Sequence, residues 1–300
     1  MRPSVDLPST PRYSARVQFQ LAGIRFRLVP TTNGVADRVT RERYAPYEAP
    51  AAAPPLRIVD LAVSTLTIPA DAAQTGAEVT YERRGNVIHV GRLDFRGTID
   101  LDAGRVEVAF AGVGGAQSFL RIACSVLLAP LGGVIIHSCS VLREGRAYLF
   151  VGESGAGKTT IARLSAPSLI LSDEVSAIVP VVPSEDVYWC HATPFWGDLA
   201  DGLDEEGRRA TLKEQPAAAP LARILFPRKI LFPREDTRDT VVPVSPSDAF
   251  MELAREAFAF GDDDATLTAI TATCGRLAER VPAADLHFRK TPEFWSCITA

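Results

Sequence analysis

The chain has few of the residues that build a disulfide scaffold, and no excess of charge for gripping a polyanion. Its five cysteines, Cys124, Cys139, Cys190, Cys274 and Cys297, are odd in number and scattered, with no pair at metal-ligand or redox spacing. Reduced, buried thiols are expected. A formal net charge of -4 with 23% charged residues lacks the electrostatic footprint of a nucleic-acid binder, so nucleic acid is not an expected partner. The most apolar stretch, 122–136, is interrupted by Pro130, Gly132 and Gly133 and falls short of the roughly 20 residues that a membrane span needs. It reads instead as a buried helix over about 117–128, a turn and a core strand, with no membrane partner. The opening "MRPSVDLPSTPRYSARV" has no basic region followed by an apolar core, so no secretory signal is read and a cytoplasmic location is expected. No internal repeat stands out.

What is present fits a globular enzyme. The 300 residues, 47% of them hydrophobic, suffice for one large or two ordinary domains with a sizeable core. The first part alternates in short runs with turn glycines, as in "ARVQFQLAGIRFRLV" and "EVTYERRGNVIHVGRLDFRGTIDLDAGRVEVAF", and predicts strands. A Pro/Ala connector, "APYEAPAAAPP" over 45–55, separates them. From about residue 117 the segments are longer and more apolar, with strands near 133–142 and 146–151 and a helix opening at Gly157. The expected organisation is a smaller β-rich N-terminal domain over 1–115 and a catalytic domain over 116–300, of α/β (α+β) class with a mixed sheet. Downstream, "SPSDAFMELAREAFAF" places Ser245 as N-cap, Pro246 at the first helical position and Asp248 at the third. A second helix is expected around 265–280, and "ADLHFRKTPEFWSCI" returns to strand-like alternation with an aromatic cluster for the core.

"GESGAGKT" sets Gly152, Gly157, Lys158 and Thr159 in the G-x-x-x-x-G-K-[ST] spacing of a P-loop. An apolar strand, "RAYLFV", leads into it, and "KTTIARLSA" can begin a helix whose first N–H groups face the phosphates. The nucleotide contacts are therefore expected from Gly152, Glu153, Ser154, Gly155, Ala156, Gly157, Lys158, Thr159 and Thr160. Lys158 supplies a point charge to the β- and γ-phosphates, and the Thr159 hydroxyl is the expected magnesium ligand.

Fifteen positions after Lys158, the apolar run "LILSDEVSAI" ends in Asp173 and Glu174. One short helix, broken by Pro167, is expected to return the chain beside the P-loop strand and set these carboxylates next to the metal and the γ-phosphate. "VIIHSCSVL" and "RAYLFV" are joined only by "REG", too short for a parallel crossover, so the P-loop strand is half of an antiparallel hairpin. That brings His137 onto the neighbouring strand.

These residues, "HSCSVL…GRAYLFVGESGAGKTT…LSDEVSAI", resemble the HPr serine kinase/phosphorylase family, whose catalytic domain is related to ATP-dependent phosphoenolpyruvate carboxykinase. The resemblance covers about 117–178. It implies a phosphoenolpyruvate carboxykinase-like P-loop kinase domain, a histidine before the loop at His137 and a paired acid after it at Asp173 and Glu174. Glu174 stands where founding members usually carry aspartate, and the "RGxGIIxV" signature of the bacterial regulators has no counterpart. The N-terminal region looks like that of diverged relatives, some similar to tailoring kinases of ribosomal peptides. Ring assemblies in the family make a homo-oligomer one expectation.

The basic run "LFPRKILFPREDTR" offers Arg228, Lys229, Arg234 and Arg238 for neutralising the transferring phosphoryl group, with Arg228 the first choice. "HATPFWGDL" reads as a packed turn or a loop near the nucleotide. His89, His191 and His287 are assigned no role. The functional expectation is a kinase that uses ATP and magnesium to phosphorylate a hydroxyl on a peptide, protein or small molecule. Asp173 is the proton acceptor, Asp173, Glu174 and Thr159 are metal ligands, and His137, Lys158 and Arg228 are further catalytic groups. The alternatives are a nucleotide-binding regulatory protein and a carboxykinase-like decarboxylase.

Overall fold

The computed structural model of the protein describes residues 18–29, 40, 44, 47, 55–68, 78–181, 187–195, 197, 218–234, 237–260 and 263–298. Most of the 45–55 connector lies outside these residues. The fold is mixed α/β, with two sheets and five α-helices among the described residues.

The first sheet contains β1 (Gln18–Leu21), β2 (Ile24–Val29), β3 (Arg57–Thr65), β4 (Thr80–Arg84), β5 (Val87–Arg92), β6 (Phe95–Asp100) and β7 (Arg105–Phe110), in the order β1-β2-β3-β7-β6-β5-β4. β2, β3 and β7 run parallel and the remaining pairs antiparallel. Alternation buries Ile24, Phe26 and Leu28 of β2 and leaves Arg25 and Arg27 half-buried on the other face. Ala22 and Gly23, both left-handed, make the two-residue turn between β1 and β2.

Helix α1 (Val113–Leu128) lies against this sheet, and the expected division at 115/116 falls within its first turn. It begins four residues before the expected start at 117, because "AGVGGAQ" reads locally as loop. Packing overrides propensity there: a Cβ at Gly115 would stand 2.5 Å from the Asp94 carbonyl oxygen. A Cβ at Gly97 would likewise stand 2.2 Å from the Phe119 ring, so the missing side chain is what lets Phe119 bury fully on the sheet. With the following 3₁₀ turn the helix is long and apolar enough, by length and composition, to cross a membrane. Its window is nevertheless 67% buried inside the fold, as in a core helix. One continuous core runs from the first sheet through α1 to Ile135, Val175, Ala177 and Val179.

Those last residues belong to the second sheet. It holds β8 (Val134–Arg143), β9 (Arg146–Val151), β10 (Leu169–Ser172), β11 (Val175–Pro180), β12 (Tyr188–His191), β13 (Ala218–Lys229), β14 (Thr240–Pro243) and β15 (Ala283–Phe288). Pairings β8–β11, β11–β12, β12–β13, β13–β9 and β9–β8 close a five-strand ring. β10 pairs with β8, while β15 and β14 extend from β13. The hairpin of β8 and β9 is antiparallel as the short link demands, whereas β9 and β13 are parallel.

The helices are α2 (Lys158–Leu164), α3 (Pro246–Glu256), α4 (Asp264–Arg280) and α5 (Trp295–Ile298). Ser245 caps α3 as expected, its hydroxyl accepting the Asp248 N–H at 3.2 Å. Phe288, Phe294 and Trp295 form the expected C-terminal aromatic cluster. All five cysteines are free, but Cys297 is only half-buried, unlike the other four.

Candidate active site

Strand register brings three chain segments to one level of the second sheet. β9 ends where Val151 pairs with Ser138, so the glycine loop starts beside His137 and Ser138. On the other edge of β8, β10 pairs with residues 140–142 and β11 with residues 134–137. The turn between them carries Asp173 and Glu174, and the Ser138 N–H donates to the Glu174 carbonyl at 3.0 Å. The acid strand thus returns beside β8 rather than beside the P-loop strand as expected, because the other edge of β9 is taken by β13.

Two lysines brace the loop. Lys158 Nζ donates to the Gly152 carbonyl at 2.5 Å and to the Glu153 carbonyl at 2.9 Å. Lys229 Nζ donates to the Gly155 carbonyl at 2.8 Å. Burial pushes the Lys158 ammonium below the ordinary lysine range, while the charges of Glu256 and Glu174 oppose that shift. An anionic group entering the loop stabilises the charge that burial disfavours. Gly157 has φ 113°, and a Cβ there would meet Phe288 at 2.8 Å and Lys229 at 2.9 Å. Only glycine fits that approach.

Asp173 is 4% exposed, and its Oδ1 accepts the Gly197 N–H at 2.9 Å. Glu174 is held differently. Arg121 of α1 grips both of its oxygens, at 3.2 and 2.6 Å, and lies 5.4 Å over the Phe195 ring. The expected metal ligand therefore shares its carboxylate with a guanidinium in a bidentate pair.

His137 Nδ1 lies 3.1 Å from Glu256 Oε2. Glu256 is the last residue of α3, and its side chain is 7% exposed. The next residues dock on β8 through the Ile136–Ala257 bridge and the Phe258 N–H to the Ile135 carbonyl, which sets Glu256 against the imidazole. Burial is the first cause lowering the His137 pKa below its usual value and the Lys158 charge the second, with Glu256 and Glu174 pulling it upward.

A cavity of about 330 Å³ is lined by His137, Ser154, Gly155, Gly157, Lys158, Thr159, Thr160, Asp173, Glu174, Gly197 and Lys229. Of the expected loop contacts, Gly152, Glu153 and Ala156 do not line this cavity; two of them hold Lys158 through carbonyls, and the Ala156 N–H bonds to the Glu153 carbonyl. Arg228 is a correction. It pairs with Glu252 at 2.6 Å and Asp285 at 3.0 Å, while Lys229 reaches the loop. Consecutive residues of a strand face opposite ways, so only one of the two can turn to the loop. Arg234 bonds Thr237 through its backbone and does not line the cavity. From "HATPFWGDL", Thr193 and Phe195 pack inside and Gly197 reaches the cavity, whereas Trp196, Asp198 and Leu199 lie outside the described residues.

Arg121 and Glu256 were not expected from the sequence, and Gly197 was covered only by the reading of its segment as a packed turn or a loop near the nucleotide. Arg121 had one signal: it is the lone charge in an otherwise uncharged, apolar helix. Glu256 is an ordinary glutamate near a helix end and had none. No protein-family model matches the chain, and no curated protein matches it either.

Proposed function

We propose that the protein is an ATP- and magnesium-dependent kinase that transfers the γ-phosphate to a hydroxyl group, with a catalytic fold like that of HPr kinase and phosphoenolpyruvate carboxykinase. The observation that carries this reading is the sharing of one cavity by P-loop residues Ser154, Gly155 and Gly157 to Thr160, the buried Asp173 and His137. Nucleotide binding alone needs neither of the last two, which favours an enzyme over a purely regulatory nucleotide-binding protein. The P-loop strand, antiparallel to one neighbour and parallel to the other, supports the carboxykinase-like fold over an all-parallel nucleotide-binding sheet.

The residues fit both cofactors. Among the described residues no group of three or more His, Cys, Asp and Glu side chains can hold a metal, but magnesium on a nucleotide keeps several waters and asks for only one or two carboxylates. Thr159 and Asp173 supply protein oxygens on the same cavity, and Glu174 joins them only by giving up part of its Arg121 pair. Thr159 and Asp173 would hold the metal, which would supply positive charge to offset that of the phosphates. Lys158 and Lys229 hold the phosphates and neutralise charge on the transferring group, Lys229 in the role expected of Arg228. Asp173 and His137 both border the place where an acceptor hydroxyl must sit. The acceptor is a hydroxyl on a peptide, a protein or a small molecule, and a cytoplasmic location, where ATP is plentiful, suits the activity.

Phosphate release from MgATP, measured with and without candidate hydroxyl acceptors, tests the reading. Acceptor-dependent release is expected; ATP binding without turnover under every condition returns the protein to the regulatory class.

A further inference from the structure

A cavity of about 610 Å³, larger than the one at the glycine loop, opens on the first sheet. Gly97 of β6 faces α1, where its missing Cβ makes room for Phe119, so Arg96 and Thr98 point to the opposite face. Strand register carries that orientation across β3, β7, β6, β5 and β4. One row over these five strands is Ser64, Ala109, Arg96, Gly91 and Thr80. A second, two residues further along each strand, is Ala62, Glu107, Thr98, His89 and Glu82. Both rows line the cavity, and the row between them, from Val63 through Gly97 to Tyr81, is its floor. The shape is a trough that crosses the strands. From the spacing of strands and residues it is about 19 Å long, roughly five to six residues of extended chain, with walls about 7 Å apart.

The charges on the two walls are unequal. Arg96 is exposed, has only neutral residues in its row, and makes no hydrogen bond or ion pair among the described residues. Every other arginine of these five strands has a partner: Arg57 the Leu101 carbonyl, Arg83 Asp263, Arg84 Glu82, Arg92 Asp94 and Arg105 Glu107. Glu107, the diagonal neighbour of Arg96, is therefore already held by Arg105. A bare guanidinium in a neutral row suits a carboxylate, which it binds through two parallel N–H bonds. A polyanion is disfavoured, because one cation cannot neutralise a row of phosphates and Glu82 and Glu107 stand in the opposite wall. A free carboxylate fills a fraction of the trough. An extended peptide fills its length and turns N–H groups to the acceptors of the wall that holds Glu107, Thr98 and Glu82.

We propose that the first sheet binds an extended peptide segment in this trough, with a carboxylate side chain of the segment seated on Arg96. Binding there needs no turnover at the glycine loop, so the site stands apart from the kinase reading. The test uses the full chain and a synthetic library of seven-residue peptides in which one position at a time is fixed as acidic, basic or neutral. Wild type should retain peptides with Asp or Glu at one position. Arg96→Glu should bind those peptides on the order of 10-fold or more weakly, the range of a charged hydrogen bond, and should select Lys or Arg instead. Ala109→Trp, which plugs the trough beside Arg96 and leaves its charge in place, should retain neither. Thermal melts establish that both variants are folded, and if Ala109→Trp is not, the charge swap alone decides. Four results overturn the proposal: no retained peptide, no acidic preference, an acidic preference that persists in Arg96→Glu, or displacement of the peptide by an equal concentration of free glutamate or inorganic phosphate, which reduces the trough to a simple anion site.

Discussion

The first sheet wears its charges on the surface: Arg27–Asp60, Arg84–Glu82, Arg92–Asp94 and Arg105–Glu107 pair with side chains between 28% and 70% exposed. The second sheet carries Lys158, Asp173 and Glu256 at strand and helix ends, each no more than 8% exposed. Exposed pairs add little to stability, while a buried charge is unfavourable unless its partners compensate. The difference teaches where the molecule tolerates strain in its electrostatics, namely around the glycine loop, where a ligand's own charge can compensate. Among the described residues Asp263 breaks the pattern. Asp263, the cap of α4, receives Arg83 and Tyr81 of β4 and the Thr266 hydroxyl, and every one of those partners is structural.

The sharpest way to separate the two regions is Phe119→Ala. It empties a fully buried ring site between α1 and the first sheet and should cost about 3–5 kcal/mol, read by denaturant unfolding. Nucleotide affinity per folded molecule should not change.

Acid should strain the second sheet next. Burial pushes the His191 pKa down from 6.5 to about 4, so the unfolded chain takes up a proton that the folded protein refuses. The stability in question is complete above pH 6.5 and is lost as pH falls toward 4, by at most roughly 3 kcal/mol. His137 shifts in the same direction. Unfolding free energies of wild type and His191→Leu across that window check the sign, and the variant should show the flatter profile.

Lys158→Met should weaken ATP binding on the order of 100-fold, equivalent to the upper range for a charged hydrogen bond. It should not lower the melting temperature, since it removes a buried ammonium. A titration and a thermal melt on one sample decide both parts, and a large loss of stability would mean that Lys158 mainly holds the loop together.

The smallest effect belongs to Arg228→Met. Its guanidinium is 39% exposed and pairs on the face away from the loop, so a loss under about 1 kcal/mol and an unchanged ATP affinity are expected. Lys229→Met, one position on, should weaken ATP binding instead. Equal effects would erase the distinction between the two faces of β13.

How much of this was legible in the chain follows from sequence distance. The glycine loop, the antiparallel hairpin forced by "REG", the Ser245 cap and the alternating strands all rest on residues within a few positions of one another, where backbone sterics and local hydrogen bonds decide the outcome. Even the choice between Arg228 and Lys229 was half visible, since a strand must turn them apart, but which one faces the loop depends on the β9–β13 register. The start of α1 was hidden because its glycines are poor helix formers, and the packing that rewards them comes from Asp94. The site's supporting contacts lie further off. Arg121 reaches Glu174 across 53 positions and Glu256 reaches His137 across 119. Nothing in the local composition marks either partner, because such contacts exist only after the strands have paired, α1 has been buried between the two sheets and the end of α3 has docked on β8.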